Sequence, residues 1–452
     1  MTLLNELSAE VCQRARMSRD PRFDGRFFVA VKTTGIFCRP ICPANLPKEE
    51  NVEYFSSQAL AVSAGYRPCL RCRPESAPHS WAWKGAETTF LRALTLIEQG
   101  ELDGSLETLA SRLGISDRYL RQLFQRHLGM PPKQYAQIQQ LMFAKQLLHT
   151  SQISITEVAY ASGFQSTRRF NDAFQKLFRL TPPQVRRERA ALPSRNHLSL
   201  AFRGPFDWAH MLDFYRLRAI EGMELIDEQS YQRHFVLGEG TGWFKASMAQ
   251  SHLDIEFEME RLSDLRHLVA RLRRMFDLDA DLISIEAHLE QLAPGLVRRT
   301  GIRIPGVWNA WEAGVRAVLG QQVSVKAAIG QLNLLVSTLA ASEGSTRYFP
   351  TPEQVQMSDL SFLRMPERRK ETLKRLADYV RLHPMDSPMA WLSLSGIGPW
   401  TVDYAQLRGE SRSHCFLTGD LIVKKALAKF PQLTAESVAP WGSYATFHCW
   451  SH

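Results

Sequence analysis

The sequence predicts a multidomain α+β protein, and three observations support this fold class. The 452 residues are too many for one hydrophobic core, so several domains are expected. Two closely spaced cysteine pairs mark the first segment, and a duplicated helical pattern marks the second. Alternating β-rich runs then give way to helical patterns from about Leu282 onward. We therefore expect four domains, which span residues 1–78, 85–190, 197–281 and 282–452.

The composition restricts the class of protein, and stretches rich in Pro and Ser indicate the domain boundaries. Lys and Arg number 55 against 46 Asp and Glu, and this net charge of +9 favours a polyanionic partner without naming one. No run of about 18 apolar residues occurs, and the N-terminus lacks a signal-peptide pattern, so we expect a cytoplasmic protein with no membrane partner. The Pro/Ser-rich stretches "RPESAPHS" and "ALPSRN" are predicted linkers between domains.

Four cysteines in the first segment have the spacing of a zinc site. Cys38 and Cys42 are separated by three residues, and Cys69 and Cys72 by two. Thiols stay reduced in the cytoplasm, so two such pairs predict one Zn²⁺ held by four thiolates, with no small-molecule cofactor. The remaining cysteines have no such partners and are expected to be ordinary buried thiols: Cys12, Cys415 and Cys449.

This zinc site has two interpretations. It either stabilises the domain alone, as in a plain zinc finger, or it also reacts. Zn²⁺ with four thiolates carries 2 − 4 = −2 charges, so its sulfurs stay electron-rich and an accessible one can act as a nucleophile. Alkylating one sulfur changes the charge from −2 to −1, which removes repulsion from a DNA backbone and strengthens binding.

The residues around the cysteines resemble those of a known domain. "FVAVKTTGIFCRPICPAN" and "ENVEYFSSQALAVSAGYRPCLRC" resemble the metal-binding, methyl-accepting N-terminal domain of the bacterial Ada family, over most of residues 1–78. The resemblance implies that Cys38 accepts a methyl group from a DNA methylphosphotriester, while Cys42, Cys69 and Cys72 complete the zinc site. The Pro-Cys-His-Arg motif of the family's other methyltransferase domain does not occur in this sequence, so O6-alkylguanine repair is not expected.

The second segment contains two imperfect copies of one helical pattern, "LETLASRLGISDRYLRQLFQRHLGMPP" and "ITEVAYASGFQSTRRFNDAFQKLFRLTPP". Ala110 and Ala159 correspond, as do Gly114 and Gly163, because 159 − 110 = 163 − 114 = 49. A short helix, a glycine turn and a longer polar-faced helix are typical of helix-turn-helix units. The alternative is a helical bundle whose arginines form a solvated face.

This segment resembles the AraC-type DNA-binding domain over its whole length. The resemblance implies a set of DNA contacts at the turn and second helix of each unit: Ser116, Asp117, Arg118, Arg121, Gln165, Ser166, Arg168 and Arg169. Which of these residues read bases and which touch phosphates stays open.

The last segment contains a glycine hairpin followed by an aspartate. Gly396 and Gly398 in "LSLSGIGPWTVDYAQLRG" allow a tight turn whose backbone N–H groups point at a phosphate. Asp420 follows in "FLTGDLIVKKAL". Together these resemble the helix-hairpin-helix, Gly/Pro-rich, aspartate motif of DNA glycosylases, and residues 197–452 resemble the AlkA-type alkylbase glycosylases. The implied architecture is a small zinc-bound α/β domain, an AraC-type double helix-turn-helix, a small α/β domain and an all-α helix-hairpin-helix glycosylase domain.

Glycosylase chemistry assigns roles to these residues. A base must be flipped out of the DNA stack before its glycosidic bond can be cleaved. An aromatic surface stabilises a cationic alkylated base, and Trp400, Tyr404 and Trp450 are the candidates for it. A carboxylate beside the sugar stabilises oxocarbenium character or orients water, which we assign to Asp420. The alternatives are core packing for the aromatic residues and helix N-capping for Asp420. Asp403 is the second candidate carboxylate, although we expect it to be solvated.

Three positions refine this assignment, and two of them, Gln322 and Leu421, depart from the family pattern. Trp400 stands where glycosylases that also nick the strand carry a lysine, which implies base excision without lyase activity. Gln322 stands where the family inserts an apolar wedge into DNA, and Leu421 replaces an aromatic residue beside Asp420.

The resemblances together imply a protein that accepts methyl groups, regulates repair genes and excises 3-methyladenine and 7-methylguanine. Its partners would be double-stranded DNA, both alkylated and operator, and RNA polymerase. The rival interpretation is a regulator whose C-terminal half binds DNA without catalysis.

Overall fold

The computed structural model describes residues 8–20, 23–69, 71–72, 74, 81–98, 102, 105–186, 196–339, 342–343, 346–384 and 386–451. They form two compact units, Met1–Gln139 and Gln140–His452. The two predicted linkers, apart from Pro74 and Asn196, lie outside the described residues. Within the described part, no helix is both long enough and apolar enough to span a bilayer.

The first unit begins with a small four-stranded sheet, whose strand order is β3-β1-β2-β4. β1 is antiparallel to both of its neighbours, whereas β2 and β4 are parallel. Successive β1 residues pack on opposite faces, Phe28 and Ala30 with Phe37 on one face and Val29 with Val52 on the other, as strand geometry requires. The elements are α1 (Ala9–Met17), β1 (Phe28–Val31), β2 (Ile36–Cys38), β3 (Val52–Phe55), α2 (Gln58–Ser63) and β4 (Arg67–Pro68).

Seven helices follow among the described residues, and the boundary between the two units falls within the helix Pro132–Thr150. These helices confirm the predicted duplication. Gly114 and Gly163 end the first helix of each copy at φ +68° and +86°, a left-handed conformation that favours glycine. The second turn is one residue longer, because the glycines are 163 − 114 = 49 apart while the following helices begin 167 − 117 = 50 apart. The helices are α3 (Trp81–Glu98), α4 (Leu106–Arg112), α5 (Asp117–Leu128), α6 (Pro132–Thr150), α7 (Ile155–Ala161), α8 (Thr167–Phe178) and α9 (Pro182–Arg186).

The next part of the second unit is a five-stranded antiparallel sheet of order β5-β9-β8-β7-β6. Alternate residues of β9, Leu253, Ile255 and Phe257, are buried, so one face of the sheet packs into the core. The elements are β5 (His197–Ala201), α10 (Trp208–Arg216), β6 (Glu224–Ile226), β7 (Ser230–Leu237), β8 (Gly240–Met248), β9 (His252–Met259) and α11 (Leu265–Met275).

In the rest of the described chain the regular structure is helical, as predicted, apart from a short two-stranded hairpin formed by β10 and β11. Two hydrophobic clusters fill this part, one around α13 and α16 and one around α12 and α19. The elements are α12 (Leu282–Leu292), α13 (Ala310–Gly320), α14 (Val325–Leu339), β10 (Ser342–Glu343), β11 (Thr346–Arg347), α15 (Pro352–Met357), α16 (Glu367–Leu382), α17 (Pro399–Glu410), α18 (Leu421–Leu427) and α19 (Gly442–Trp450).

A buried ion network joins the antiparallel sheet to the helices. Arg233 on β7 contacts Glu312 on α13 at 2.5 Å and Glu224 on β6 at 3.1 Å. Arg316 contacts the same two carboxylates at 2.8 and 3.3 Å. Burial alone would raise the pKa of Glu312, but Arg233 and Arg316 outweigh it and hold that pKa at about 2. The four charges therefore balance inside the core.

We expect Glu312→Gln to destabilise the fold by about 3 to 5 kcal/mol, because it leaves a buried arginine charge without compensation. Urea unfolding followed by tryptophan fluorescence measures the loss. The matched control is Asp378→Asn, which breaks a surface pair with Arg381 and should cost under about 1 kcal/mol. Equal losses in the two variants would contradict a structural role for the network.

Candidate functional site

The four predicted cysteines converge in the first unit. Cys38 ends β2, Cys42 lies in the turn that follows, and Cys69 and Cys72 follow β4. Their sulfur atoms all lie within 4.8 Å of one another. A tetrahedral site with Zn–S bonds of about 2.3 Å needs sulfurs about 3.8 Å apart, so the donor set fits one Zn²⁺ after a small contraction. The cysteines outside this cluster are buried thiols, as predicted: Cys12, Cys415 and Cys449.

Backbone donors distinguish the four sulfurs. The N–H of Arg39 donates to Cys72 Sγ at 3.4 Å, and the N–H of Ala44 donates to Cys42. Within the described residues, no backbone N–H donates to Cys38 or to Cys69. These two sulfurs therefore keep more of their electron density.

The predicted DNA contacts lie on the surface, at the start of α5 and α8. In the first copy Arg118 is exposed, whereas Ser116 caps α5 by accepting from Tyr119 N–H at 3.2 Å. Asp117 pairs with Arg121 at 2.7 Å.

In the second copy, Gln165, Arg168 and Arg169 are all exposed. Ser166 is half-buried, and its side chain makes no capping hydrogen bond. The second copy therefore presents more uncommitted polar groups than the first.

Different structural features explain why glycine occupies the two hairpin positions. Gly396 has φ +93°, and a Cβ there would approach Thr372 Oγ1 to 2.1 Å, so the fold itself requires glycine. Gly398 begins α17 as its N-cap, and a Cβ there would meet nothing within 4 Å. Internal packing therefore does not explain Gly398, whereas close approach of an external group would.

A cavity of about 440 Å³ in the second unit brings the predicted catalytic and aromatic residues together. Its volume is in the range of about 300–1,000 Å³ that is typical of small-molecule sites. Asp420, Trp400, Tyr404 and Trp450 all line it. All four are half-buried, so they are accessible from the cavity.

Asp420 caps a helix and also keeps a free oxygen. Its Oδ1 accepts from the N–H groups of Ile422 and Val423 at 2.8 and 3.2 Å and from Trp450 Nε1 at 3.1 Å. Within the described residues, no hydrogen bond reaches Oδ2. The capping interpretation and the catalytic interpretation are therefore compatible, because each uses a different oxygen.

The aromatic side chains form two stacked pairs on the cavity wall. Trp400 and Tyr404 lie one helical turn apart on α17, and their ring centroids are 5.3 Å apart at an interplanar angle of 26°. Trp450 lies nearly parallel to Phe214, at 6.3 Å and 13°. The wall offers flat π surfaces to a planar cationic or neutral base.

Phe214 and Arg218 line the same cavity, and sequence reasoning missed both. They come from α10 and the turn after it, in the domain of the antiparallel sheet. The amphipathic stretch "DWAHMLDFYRLRAI" was the available signal, but its pattern predicts a helix without showing that one face lines a cavity in the next domain.

Three other predicted positions behave differently from Asp420. Gln322 is exposed at φ +57° in the turn between α13 and α14, and neighbouring Gln321 donates to the Gly396 carbonyl at 3.1 Å. Leu421 is 68% exposed and does not line the cavity. Asp403, which we expected to be solvated, is half-buried, and burial raises its pKa. Asp403 also does not line the cavity.

Family models match three parts of the chain. The metal-binding domain of Ada matches residues 11–75, a helix-turn-helix domain matches residues 109–188, and the AlkA N-terminal domain matches residues 197–309. The Ada match contains all four cysteines, so the cluster is a zinc site of this type.

Named relatives match both halves. DNA-3-methyladenine glycosylase 2 of Escherichia coli is 33% identical over 56% of this chain and 96% of its own length. The "Bifunctional transcriptional activator/DNA repair enzyme Ada" of Escherichia coli is 35% identical over 38% of this chain and 47% of its own length. The "Probable bifunctional transcriptional activator/DNA repair enzyme AlkA" of Mycobacterium tuberculosis is 34% identical over 98% of this chain and 96% of its own length. This chain therefore belongs to the family of bifunctional transcriptional activator/DNA repair enzymes that join an Ada-type zinc domain and helix-turn-helix to an AlkA-type glycosylase.

Proposed function

We propose that the C-terminal half hydrolyses the N-glycosidic bond of alkylated bases, with Asp420 as the catalytic carboxylate. The observation that carries this proposal is the state of Asp420: one oxygen is held by three N–H donors, and the carboxylate lines a cavity walled by Trp400 and Tyr404. A carboxylate fixed in this way is preorganised to stabilise positive charge that develops on the sugar.

Different residues contribute to the successive steps of base excision. The base leaves the DNA stack and enters the cavity, where the aromatic rings receive it. The glycosidic bond breaks with its electron pair on the base nitrogen, and Asp420 stabilises the oxocarbenium character left on the sugar. Water then adds to C1′, which leaves an abasic site. Gln322, exposed beside the hairpin, occupies the gap in the duplex, and Gly398 allows the DNA backbone to approach.

The aromatic cavity supports 3-methyladenine and 7-methylguanine as substrates, because both are cationic in DNA and are good leaving groups. Among the described residues, no lysine lines the cavity, which supports a monofunctional glycosylase. The products would be a free base and an intact abasic strand.

We expect no covalent protein–DNA adduct when the protein acts on 7-methylguanine DNA in the presence of borohydride, since such an adduct needs an amine nucleophile. Released base, measured in the same sample, shows that the protein has acted. In a parallel reaction without borohydride, alkali should convert the abasic product into nicked strands, whereas untreated strands stay intact. A borohydride-stable adduct would assign lyase activity to this chain.

We further propose that Cys38 takes a methyl group from a DNA methylphosphotriester. Its sulfur attacks the methyl carbon, the methyl–oxygen bond breaks, and the phosphate leaves as a diester anion. Bound Zn²⁺ keeps the four sulfurs deprotonated. Cys42 and Cys72 accept backbone N–H bonds and are weaker nucleophiles for that reason, which leaves Cys38 and Cys69. The resemblance to the Ada motif selects Cys38.

The helix-turn-helix copies would direct the methylated protein to operator DNA and so to RNA polymerase at repair promoters. The exposed Arg118, Arg168 and Arg169 support contacts with DNA in both copies. Incubating the protein with alkylated duplex DNA, and scoring both released bases and protein methylation, tests the whole proposal. Release of no base would leave only the regulatory function, and failure to take up methyl groups would make the zinc site purely structural.

A further inference from the structure

The second helix-turn-helix copy belongs to the same compact unit as the glycosylase. The boundary between the two units lies within α6, between Gln139 and Gln140, so α7 and α8 fall in the second unit. One hydrophobic cluster contains residues of α7 and α8 together with residues of the antiparallel sheet: Val158, Phe170, Phe174, Leu253, Ile255 and Phe257. The first copy has a separate cluster, which includes Leu120 and Phe124 of α5. The second copy is therefore the one that shares a core with the enzyme domain.

A series of contacts links this copy to the glycine hairpin. α7 contacts the 3₁₀ turn Leu262–Asp264, which leads directly into α11. Ile155 on α7 and Leu262 in the turn are half-buried and pack against the shared cluster. Near the other end of α11, the Arg274 carbonyl accepts a hydrogen bond at 2.8 Å from the hydroxyl of Ser411, the C-cap of α17. Since α17 begins at the hairpin, packed elements run from the second copy to the cavity.

The outer face of α8 carries positive charge. Phe170 and Phe174 are buried in the shared cluster, whereas Arg168 and Arg169 in the first turn of the helix are exposed. Among the described residues, no carboxylate pairs with either arginine. Two adjacent guanidinium groups suit the phosphates of a DNA backbone, which attract positive charge and accept hydrogen bonds whatever the base sequence. The second copy can therefore bind DNA that contains no operator.

We propose that Arg168 and Arg169 position the glycosylase during excision, by binding phosphates of the same duplex that carries the lesion. This inference rests on the proposed glycosylase function, and it gives the second copy a role in excision besides operator recognition. Because the arginines and the cavity belong to one compact unit, phosphate binding by α8 raises the effective concentration of DNA at the hairpin. The arginines thus strengthen the binding of damaged DNA and leave the chemical step unchanged.

Single-turnover release of 7-methylguanine, measured over a range of protein concentrations and in unrelated flanking sequences, tests the inference. In the double variant Arg168→Gln/Arg169→Gln, we expect the half-saturating concentration to rise about 10-fold at about 0.05 M salt, while the rate at saturation stays the same. Losing two phosphate contacts also lowers the salt slope of binding by about 2, so the variant and the wild type should become nearly equal at about 0.2 M salt. Arg168→Lys/Arg169→Lys keeps both charges and should restore most of the affinity.

The matched control removes two exposed cations from the first unit. Arg126→Gln/Lys133→Gln changes the net charge by the same amount, and neither residue pairs with a carboxylate in the described part of the chain. We expect its half-saturating concentration and salt slope to match those of the wild type. Equal shifts in the two double variants would reduce the effect to net charge and overturn the inference. An unchanged half-saturating concentration, or a lower rate at saturation, in Arg168→Gln/Arg169→Gln would also overturn it. Release of no base by the wild type would instead overturn the proposed function.

A second experiment tests the packing of α7 on the enzyme domain. Leu262→Ser removes an apolar side chain from the turn that contacts α7, and Leu262 does not line the cavity. The second copy is then held less firmly, so the arginine double variant should change the half-saturating concentration less in this background than in the wild type. An arginine effect of undiminished size would mean that the packing does not couple α8 to excision, and would contradict the inference.

Discussion

Asp420→Asn should lose base release by at least about 10³-fold while keeping the fold and the affinity for damaged DNA. The substitution removes the charge that stabilises the oxocarbenium ion, and a factor of 10³ corresponds to about 4 kcal/mol of transition-state stabilisation. Asparagine is also a good N-cap, and its side-chain oxygen can still accept from Ile422 and Trp450. Single-turnover release of 7-methylguanine measures the rate, and a binding titration with the same duplex measures the affinity.

Asp403→Asn is the matched control for this experiment. It removes the same charge from a half-buried aspartate of the same domain that does not line the cavity. We expect its excision rate to stay within a few-fold of wild type. Near-normal excision by Asp420→Asn, together with a large loss in Asp403→Asn, would move the catalytic role to Asp403. Near-normal excision by both variants would remove it from either carboxylate.

Cys38→Ala should abolish methyl uptake and the increase in operator affinity that methylation causes. Methylation of Cys38 reduces the negative charge of the cluster by one, so repulsion from phosphates falls and binding strengthens. The gain should be large at about 0.05 M salt and should shrink as the Debye length falls to about 10 Å at 0.1 M and below that at higher salt. Operator titrations of methylated and unmethylated wild-type protein across a salt series measure this effect. Equal affinities at low salt would leave the zinc site with a structural role alone.

The control for Cys38→Ala must distinguish loss of the nucleophile from unfolding of the zinc domain. Cys38→Ala also removes a zinc ligand, so we expect some loss of stability in the first unit. Peptide mapping of the methylated wild-type protein by mass spectrometry identifies the acceptor without any substitution, and a methyl group on Cys69 would contradict the assignment. Cys12→Ala, at a buried thiol outside the cluster, should take up methyl groups normally. Both variants should excise 7-methylguanine at the wild-type rate, because Asp420 lies in the other compact unit.

The local patterns of the sequence predicted much of this fold and of its sites. The spacing of Cys38, Cys42, Cys69 and Cys72 was sufficient to predict a cluster, because metal ligands in two short loops need only one close approach of the chain. The repeated turn glycines identified the helix-turn-helix copies, since a left-handed turn residue favours glycine. Asp420 was found through its position after the glycine hairpin.

What the sequence could not show was decided by contacts between distant segments. Phe214 and Arg218 join the cavity only because α10 packs beside α17 and α19, and no periodicity within α10 encodes that neighbour. The sequence also gives no sign that Arg233 pairs with Glu312, a contact that places two buried charges in one core. Oδ1 of Asp420 caps the helix and also accepts from Trp450, 30 residues further along the chain, and this contact helps to leave Oδ2 free. Short-range spacing therefore determined which chemical groups this protein has, whereas tertiary packing decided which of them share a cavity, because burial and charge pairing depend on neighbours in space.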